Sequence, residues 1–107
     1  RINYFDIPWI LHKLHKYGIV PASIINPYGK KPWDLRVTDM SDDWKQRFAY
    51  MSSFDEVCYE LGITSPKEKM GGSMVHGAYW KGDYEEIKDY CENDVIASIE
   101  VSKLIYK

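Results

Sequence analysis

The clearest alternation of apolar and polar positions lies at the end of the chain, from Gly82 to Lys107. Apolar side chains recur there at steps of three and four residues, which predicts one long amphipathic helix. Asp83, with Glu86 three residues later, predicts a capping box, and acids in the first turn with lysines in the last suit the helix dipole. The predicted inward stripe consists of Ile87, Tyr90, Cys91, Val95 and Ile99.

Asp94 falls on the same stripe, one helical turn after Tyr90, so the pattern predicts that a phenol and a carboxylate point the same way. Burial of a lone carboxylate is costly, so such a group protonates, acquires a partner or binds a cation. Two interpretations follow. Either Tyr90 belongs to the core and Asp94 to the edge of the stripe, or both groups serve a site.

The start of the chain predicts a second helix, which begins with Asp6 as its N-cap and ends just before Gly18. Its apolar face consists of Ile7, Ile10, Leu11, Leu14 and Tyr17. Residues 20–44 contain prolines and few periodic apolar positions, so we expect mostly loop there. Within that stretch we expect a short strand over residues 35–38, with Asp39 as a turn or cap residue.

Two short helices are predicted between this loop and the final helix. One begins with a capping box formed by Ser53 and Glu56, and the other is capped by Ser73 and runs over residues 75–80. Four helices with at most one short strand are typical of the helix-rich second half of an α/β domain rather than of a complete one. We therefore expect residues 1–107 to form a single, partial domain.

Composition restricts the classes of function that the chain can have. Fourteen Lys and Arg against 16 Asp and Glu give a net charge of −2, which argues against a passive basic wrapper for nucleic acid. Cys58 and Cys91 each fall on a helical apolar face, which predicts buried thiols rather than a disulfide. No apolar run approaches the roughly 20 residues of a membrane span and no signal peptide is visible, so we expect the cytoplasm. Because the chain begins at Arg1 with a helix-like run close behind, we also expect sequence upstream of it.

Short motifs add a resemblance to a known family. Tyr90 and Asp94 fit the Tyr-x3-Asp third motif of the DEDDy 3′–5′ exonucleases, and Asp6 in FDIPWI fits their second motif, a Phe-Asp pair that opens a helix. The match continues through KPWDLRVTDMSDDW, SFDEVCYELGITSPK, GGSMV and YWKGDYEEIKDYCENDV, from Asn3 to about Lys103. The chain thus resembles the predicted 3′–5′ exonuclease family related to the exonuclease domain of family B DNA polymerases. The resemblance implies a ribonuclease H-like α/β fold, of which this chain would be the mostly helical C-terminal part.

The resemblance also implies a metal-dependent hydrolase that acts on the 3′ end of single-stranded DNA. Asp6 and Asp94 would hold Mg²⁺ or Mn²⁺, and Tyr90 would position the attacking water, so these three residues would be catalytic. Position 89, five residues before Asp94, is Asp rather than His, which favours the tyrosine subtype. The substrate-side candidates are Asn3, Phe5, Lys67 and Ser73, the last within the Gly71–Gly72–Ser73 turn.

One departure from the family pattern affects the expected activity. The first motif, an Asp-x-Glu on an early strand, has no counterpart before Asp6, so two of the four acids are missing and we expect the chain alone to be inactive. Two alternatives stay open: a non-catalytic helical interaction module, whose acids are caps and whose tyrosines form a partner surface, and the same fold acting on RNA. The sequence does not determine the oligomeric state.

Overall fold

The computed structural model describes residues 1–48, 53–68 and 70–107, apart from the side chains at positions 32 and 68. In chain order the α-helices of this part are α1 (Asp6–Lys16), α2 (Met40–Phe48), α3 (Phe54–Leu61), α4 (Val75–Lys81) and α5 (Tyr84–Ile105). Single turns of 3₁₀ helix lie at Pro32–Asp34, Pro66–Glu68 and Gly72–Met74. The mostly helical composition is confirmed. The described residues contain no strand, so the strand expected over residues 35–38 is wrong and a ribonuclease H-like sheet is not seen in them.

Two compact units divide the chain, Arg1–Ala49 and Tyr50–Lys107. In the first unit, Ile7 of α1 and Trp44 of α2 are the buried apolar side chains of the described residues. On α1 the predicted apolar face is confirmed only in part, because Ile7 is buried and Leu11 and Leu14 are half-buried, whereas Ile10 and Tyr17 are exposed. The helix ends where expected, because Gly18 follows with a φ of 65°, a left-handed conformation that suits glycine.

Helix α2 lies where the sequence analysis expected mostly loop, so that expectation is wrong for residues 40–44. Asp39 is the reason that a helix begins there. Its side-chain Oδ1 accepts a hydrogen bond from the backbone N–H of Ser41 at 3.0 Å, which is the bond of an N-cap. Trp44 and Phe48, four residues apart, then pack ring to ring on one side of the helix, with centroids 4.4 Å apart. The prediction that Asp39 is a turn or cap residue is confirmed.

The second unit is built from α3, α4 and α5, with α5 in contact with both other helices and with the Pro66–Glu68 turn. Its buried apolar side chains are Val57, Cys58, Met70, Ala78, Ala97, Val101 and Ile105. The capping box of α3 is confirmed: Ser53 Oγ accepts from the N–H of Glu56, and Glu56 Oε2 accepts from the N–H of Ser53. Gly62 ends α3 in the left-handed conformation.

Helix α5 buries a different face from the predicted one over its second half. Ala97, Val101 and Ile105 are buried at steps of four, whereas Cys91, Val95 and Ile99 are exposed. Apolar residues occur on more than one side of this helix, and packing against α3 and α4 decides which side is covered. The prediction of a buried Cys91 is therefore wrong, while Cys58 is buried and both thiols are free.

Two of the predicted helix caps are also wrong. Asp83 occupies the N-cap position of α5, but its side chain makes no cap hydrogen bond, so the capping box with Glu86 is not formed. Ser73 lies within the Gly72–Met74 turn, and Met74 occupies the N-cap position of α4. No helix of the described residues is long and apolar enough to cross a membrane.

Candidate active site

Tyr90 and Asp94 lie one turn apart on α5, where the regular helix fixes their spacing. Tyr90 is half-buried and Asp94 is exposed, so the expected inward orientation of Asp94 is wrong. The backbone around Asp94 is held by Ser98, whose hydroxyl donates to the carbonyl oxygen of Asp94 at 2.8 Å. An exposed aspartate thus lies one helical turn after a half-buried tyrosine.

A cavity of about 200 Å³ borders Tyr90. It lies between α5 and the segment before α4, and its lining is formed by Pro66, Met70, Glu86, Asp89, Tyr90 and Asn93. Asn93 did not emerge from the sequence analysis as a site residue. Its position three residues after Tyr90, on the same side of a helix, is the signal that would have placed it there.

The glycine turn before α4 passes close to the hydroxyl of Tyr90. A methyl group placed on Gly72 would lie 3.8 Å from the Tyr90 hydroxyl oxygen, which is ordinary van der Waals contact. Ser73, the next residue, is exposed. The structure therefore brings the predicted substrate-side turn and the predicted catalytic tyrosine together in one unit.

Asp94 also acts on the buried thiol of α3. Burial raises the pKa of Cys58, and the negative charges of Asp55 and Asp94 raise it further. Because the thiol is fully buried and stays protonated, it is a core residue rather than a nucleophile.

Lys67, a predicted substrate-side residue, is paired within its own unit. Its ammonium group lies 3.2 Å from Oδ2 of Asp55, and its backbone N–H donates to the hydroxyl of Ser65. The Ser65 hydroxyl in turn donates to Asp55 and lowers the pKa of that carboxyl; burial opposes this change, and the charge of Lys67 adds to it. Lys67 is exposed, but contact with a phosphate would compete with Asp55.

The remaining predicted site residues lie in the first unit, near the start of α1. Asp6 is the first helical residue and is exposed, whereas Phe5 occupies the N-cap position without a side-chain cap bond, so the prediction that Asp6 caps the helix is wrong. Phe5 is exposed. The backbone N–H of Asn3 donates to Oδ2 of Asp39 at 2.9 Å, and the side-chain oxygen of Asn3 is buried with no hydrogen-bond partner.

Asp39 is the most buried carboxylate of the described residues, at 4% exposure. Burial pushes the pKa of Asp39 upward, but the hydrogen bonds from the backbone N–H groups of Asn3 and Ser41 are among the interactions that lower it below its ordinary value. The group is therefore a charged structural acceptor. The backbone N–H groups that donate to this carboxylate belong to the first unit, so Asp39 has a role in the folding of that unit.

The chemistry of the predicted metal ligands suits a hard divalent cation, since Asp6 and Asp94 both present exposed carboxylate oxygens. Across residues 1–48, 53–68 and 70–107, no three His, Cys, Asp or Glu side chains are grouped so that they could hold a metal ion. Carboxylate oxygens are suitable ligands for Mg²⁺ or Mn²⁺. That Asp6 and Asp94 contribute to the same metal site stays a prediction.

Comparison with known families identifies the family of the chain. Residues 4–101 match the family described as predicted 3′–5′ exonuclease related to the exonuclease domain of PolB. The match covers nearly the whole chain, from just before Asp6 to beyond Asp94, and the chain belongs to this family. No curated protein and no solved structure showed significant similarity to this chain.

Proposed function

We propose that the chain carries the catalytic tyrosine and aspartate of a metal-dependent 3′–5′ exonuclease, which has a ribonuclease H-like fold and removes nucleotides from single-stranded DNA. The observation that carries the proposal is the pair formed by Tyr90 and Asp94, one turn apart on α5 in a chain of an exonuclease family. Two free thiols agree with a reducing compartment, so we place the protein in the cytoplasm.

Hydrolysis of a phosphodiester bond needs an activated water and relief of charge on the leaving oxygen, which a pair of Mg²⁺ or Mn²⁺ ions supplies when bound. Asp94 would hold one ion through its exposed carboxylate. The hydroxyl of Tyr90 would hydrogen-bond to the attacking water and fix its direction. Asp6, in the Arg1–Ala49 unit, is the further ligand that the resemblance implies.

On the substrate side, the Gly71–Ser73 turn is the strongest of the proposed contacts, because it already lies beside the hydroxyl of Tyr90. A turn with small residues lets a sugar or phosphate approach its backbone N–H groups closely. Phe5 is exposed and able to stack on a base, whereas Lys67 first has to leave Asp55. Asn3 already uses its backbone N–H to hold Asp39.

The test measures release of nucleotides from DNA labelled at the 5′ end, with Mg²⁺ or Mn²⁺, by the polypeptide at its native length. We expect Asp94→Asn to lower the rate more than about 100-fold, since even the loss of a partner outside the ligand shell costs about 10- to 100-fold. Tyr90→Phe is expected to cost about 100-fold, as for loss of a group that positions a proton transfer. Matched controls on the same helix are Tyr84→Phe and Glu92→Gln, which are expected to keep the rate.

Three outcomes contradict the proposal: no nucleotide release, release from the 5′ end, or an Asp94→Asn variant as active as the parent. An RNA strand of the same sequence in a parallel assay decides between the two polymers. The 107 residues on their own supply two of the four acids that the resemblance implies. We expect them to be at least about 100-fold slower than the native-length polypeptide.

A further inference from the structure

A second cavity lies on α5 beside the one that borders Tyr90. It has a volume of about 410 Å³ and lies between residues 62–66, which follow α3, and residues 93–100 of α5. We call it the Ile96 cavity. Pro66 and Asn93 line both cavities, so these two residues form the boundary between them. Binding sites for small molecules have volumes of about 300–1,000 Å³, so the Ile96 cavity is large enough for one nucleoside.

Much of the lining of the Ile96 cavity is apolar. Ile63, Pro66, Ile96 and Ala97 supply this surface. Ala97 and Pro66 are buried, whereas Ile96 is 57% exposed although its side chain is large and aliphatic. An exposed aliphatic side chain beside buried apolar residues offers a wall against which a flat ring packs.

Glu100 gives the Ile96 cavity its charge, since no Lys or Arg is among the described residues that line it. The ammonium group of Lys103 lies 2.9 Å from Oε1 of Glu100. A carboxylate has about four lone-pair sites, so Glu100 keeps acceptor positions on both oxygens. A ligand of this cavity therefore presents N–H donors to Glu100, and an anionic group such as a phosphate is disfavoured there.

Asn93 is the second polar group that α5 supplies to the cavity. Glu100 follows it by seven residues, which is about two helical turns and about 10 Å along the helix axis. The two side chains therefore lie on the same side of the helix, with Ile96 and Ala97 between them along the chain. A bicyclic ring with polar groups at both ends suits this separation better than a single ring does.

We propose that the Ile96 cavity binds a guanine base, with the ring against Ile96 and the N1–H and N2–H groups donating to the carboxylate of Glu100. Guanine has two adjacent N–H donors on one edge, an arrangement that adenine, cytosine and thymine lack. Its O6 and N7 atoms are acceptors for the amide N–H groups of Asn93. The inference rests on the proposed function for the choice of a nucleotide as ligand, but it uses neither Tyr90 nor Asp94.

The guanine belongs either to the DNA strand that is the proposed substrate or to a free mononucleotide, and the chemistry of recognition is the same for both. The first arm of the test measures fluorescence anisotropy of labelled oligodeoxythymidines of about 12 nucleotides on titration with the 107-residue chain, in EDTA so that no hydrolysis occurs. Each strand carries one deoxyguanosine at the first, second or third position from its 3′ end, or deoxyinosine at the same position. The second arm titrates the chain with dGMP or dIMP by calorimetry.

Inosine is the matched control for guanosine, because its base lacks only the N2 amino group. We expect guanine at one of the three positions to bind about 10-fold more tightly than hypoxanthine, as for one hydrogen bond to a charged group. Glu100→Gln keeps the size of the side chain but leaves one acceptor oxygen and no charge, so it is expected to remove most of this preference. The preference is measured on the unchanged chain first, which makes it independent of how any variant folds.

Glu85→Gln is the control for the substitution. Glu85 is an exposed residue of the same helix and pairs with Lys88 three residues later, as Glu100 pairs with Lys103, but it lies outside the cavity. The variant is therefore expected to keep the full preference for guanine. This comparison separates loss of the carboxylate in the cavity from loss of an ion pair on the surface of α5.

A preference for guanine within the strand assigns the cavity to the DNA, and a preference for dGMP over dIMP alone assigns it to a free nucleotide. The inference is overturned if guanine and hypoxanthine bind equally in both arms, if Glu100→Gln keeps the preference, or if Glu85→Gln loses it to the same extent. Failure of the proposed function leaves a different record. A preference that depends on Glu100 with no hydrolysis by the native-length polypeptide refutes the exonuclease alone, and hydrolysis that depends on Asp94 without any preference for guanine refutes this inference alone.

Discussion

The two units of the chain are built around buried groups of opposite character. The Arg1–Ala49 unit buries the carboxylate of Asp39, whereas the Tyr50–Lys107 unit buries the thiol of Cys58, at 0% exposure. Asp39 is held by directed hydrogen bonds from Asn3 and Ser41, and Cys58 is held by apolar packing. The donors come from the N-terminal segment and from the first turn of α2, so the first unit depends on a buried charge in addition to its apolar side chains Ile7 and Trp44, whereas the second depends on apolar burial.

The same difference appears in the pKa values. Hydrogen bonds lower the pKa of Asp39 against the effect of burial, while burial with little compensation raises the pKa of Cys58. A buried acid with donors stays charged, and a buried thiol without them stays neutral. Four measurements test this difference between the two units.

The largest effect is expected in thiol reactivity. Cys91 is exposed and Cys58 is fully buried, so a thiol reagent should modify one cysteine rapidly and the other only through unfolding. Because the unfolded fraction of a native protein is on the order of 10⁻³ or less, Cys58 should react at least about 1,000-fold more slowly. The measurement is the time course of modification with and without urea. Cys91→Ala should remove the fast phase, and a fast phase that survives this change would show that Cys58 is accessible.

Loss of the buried charge should be the largest change in stability. Asp39→Ala removes an N-cap and leaves the N–H of Asn3 without its acceptor, which together cost about 2–3 kcal/mol of unfolding free energy. Urea titration followed by circular dichroism measures it. Asp34→Ala, an exposed acid of the same unit, is the control and should cost under about 0.5 kcal/mol. Equal losses of unfolding free energy in the two variants would refute the conclusion that the first unit depends on Asp39.

In the second unit, the removal of buried apolar volume should lower the unfolding free energy by nearly as much. Val101 on α5 is 1% exposed, so Val101→Ala should cost about 2 kcal/mol through two lost methyl groups and the space they leave. The same change at Val95, on the same helix at 58% exposure, should cost under about 0.5 kcal/mol. A larger loss at Val95 than at Val101 would mean that α5 buries the stripe expected from the sequence, in place of the observed one.

The smallest effect is the pH dependence of stability, which should differ in direction between the two groups. The pKa of Asp39 is lower in the folded state, so its contribution is present above about pH 4 and is lost as the pH falls through the folded pKa. The pKa of Cys58 is higher in the folded state, so stability should fall as the pH rises above about 8.5, where the unfolded thiol ionises first. Unfolding curves over this pH range measure both losses of stability. Asp39→Asn is expected to remove the loss at acid pH, and Cys58→Ala the loss at alkaline pH.

Much of the helical content could be predicted from local patterns. The Ser53–Glu56 capping box, the left-handed Gly62 after α3 and the long final helix are all formed by residues within a few positions of one another. Helix α2 was missed because its signal is a buried Asp39 cap and a Trp44–Phe48 pair, which are short cues inside a proline-containing stretch. Local cues of this kind gain strength only when a tertiary contact, here the one from Asn3, fixes the cap.

In the candidate site, too, some features follow from local sequence and others depend on tertiary contacts. The spacing of Tyr90 and Asp94 follows from helical geometry alone, and the family match agrees with the resemblance read from the motifs. The exposure of Asp94, the cavity beside Tyr90 and the approach of Gly72 depend on how residues 66–68 and 70–74 fold against α5. No pattern within one segment contains that information, because it concerns the distance between two segments.

Local sequence patterns are enough to derive the long final helix, the placement of a phenol and a carboxylate on one side of it, and the exonuclease family of the chain. The covered side of α5 follows only from the packing of the folded chain, which leaves Val95 and Ile99 in solvent and buries Ala97 and Val101. The physical reason is that periodicity fixes the angles between side chains around one helix, whereas burial depends on where the neighbouring helices pack.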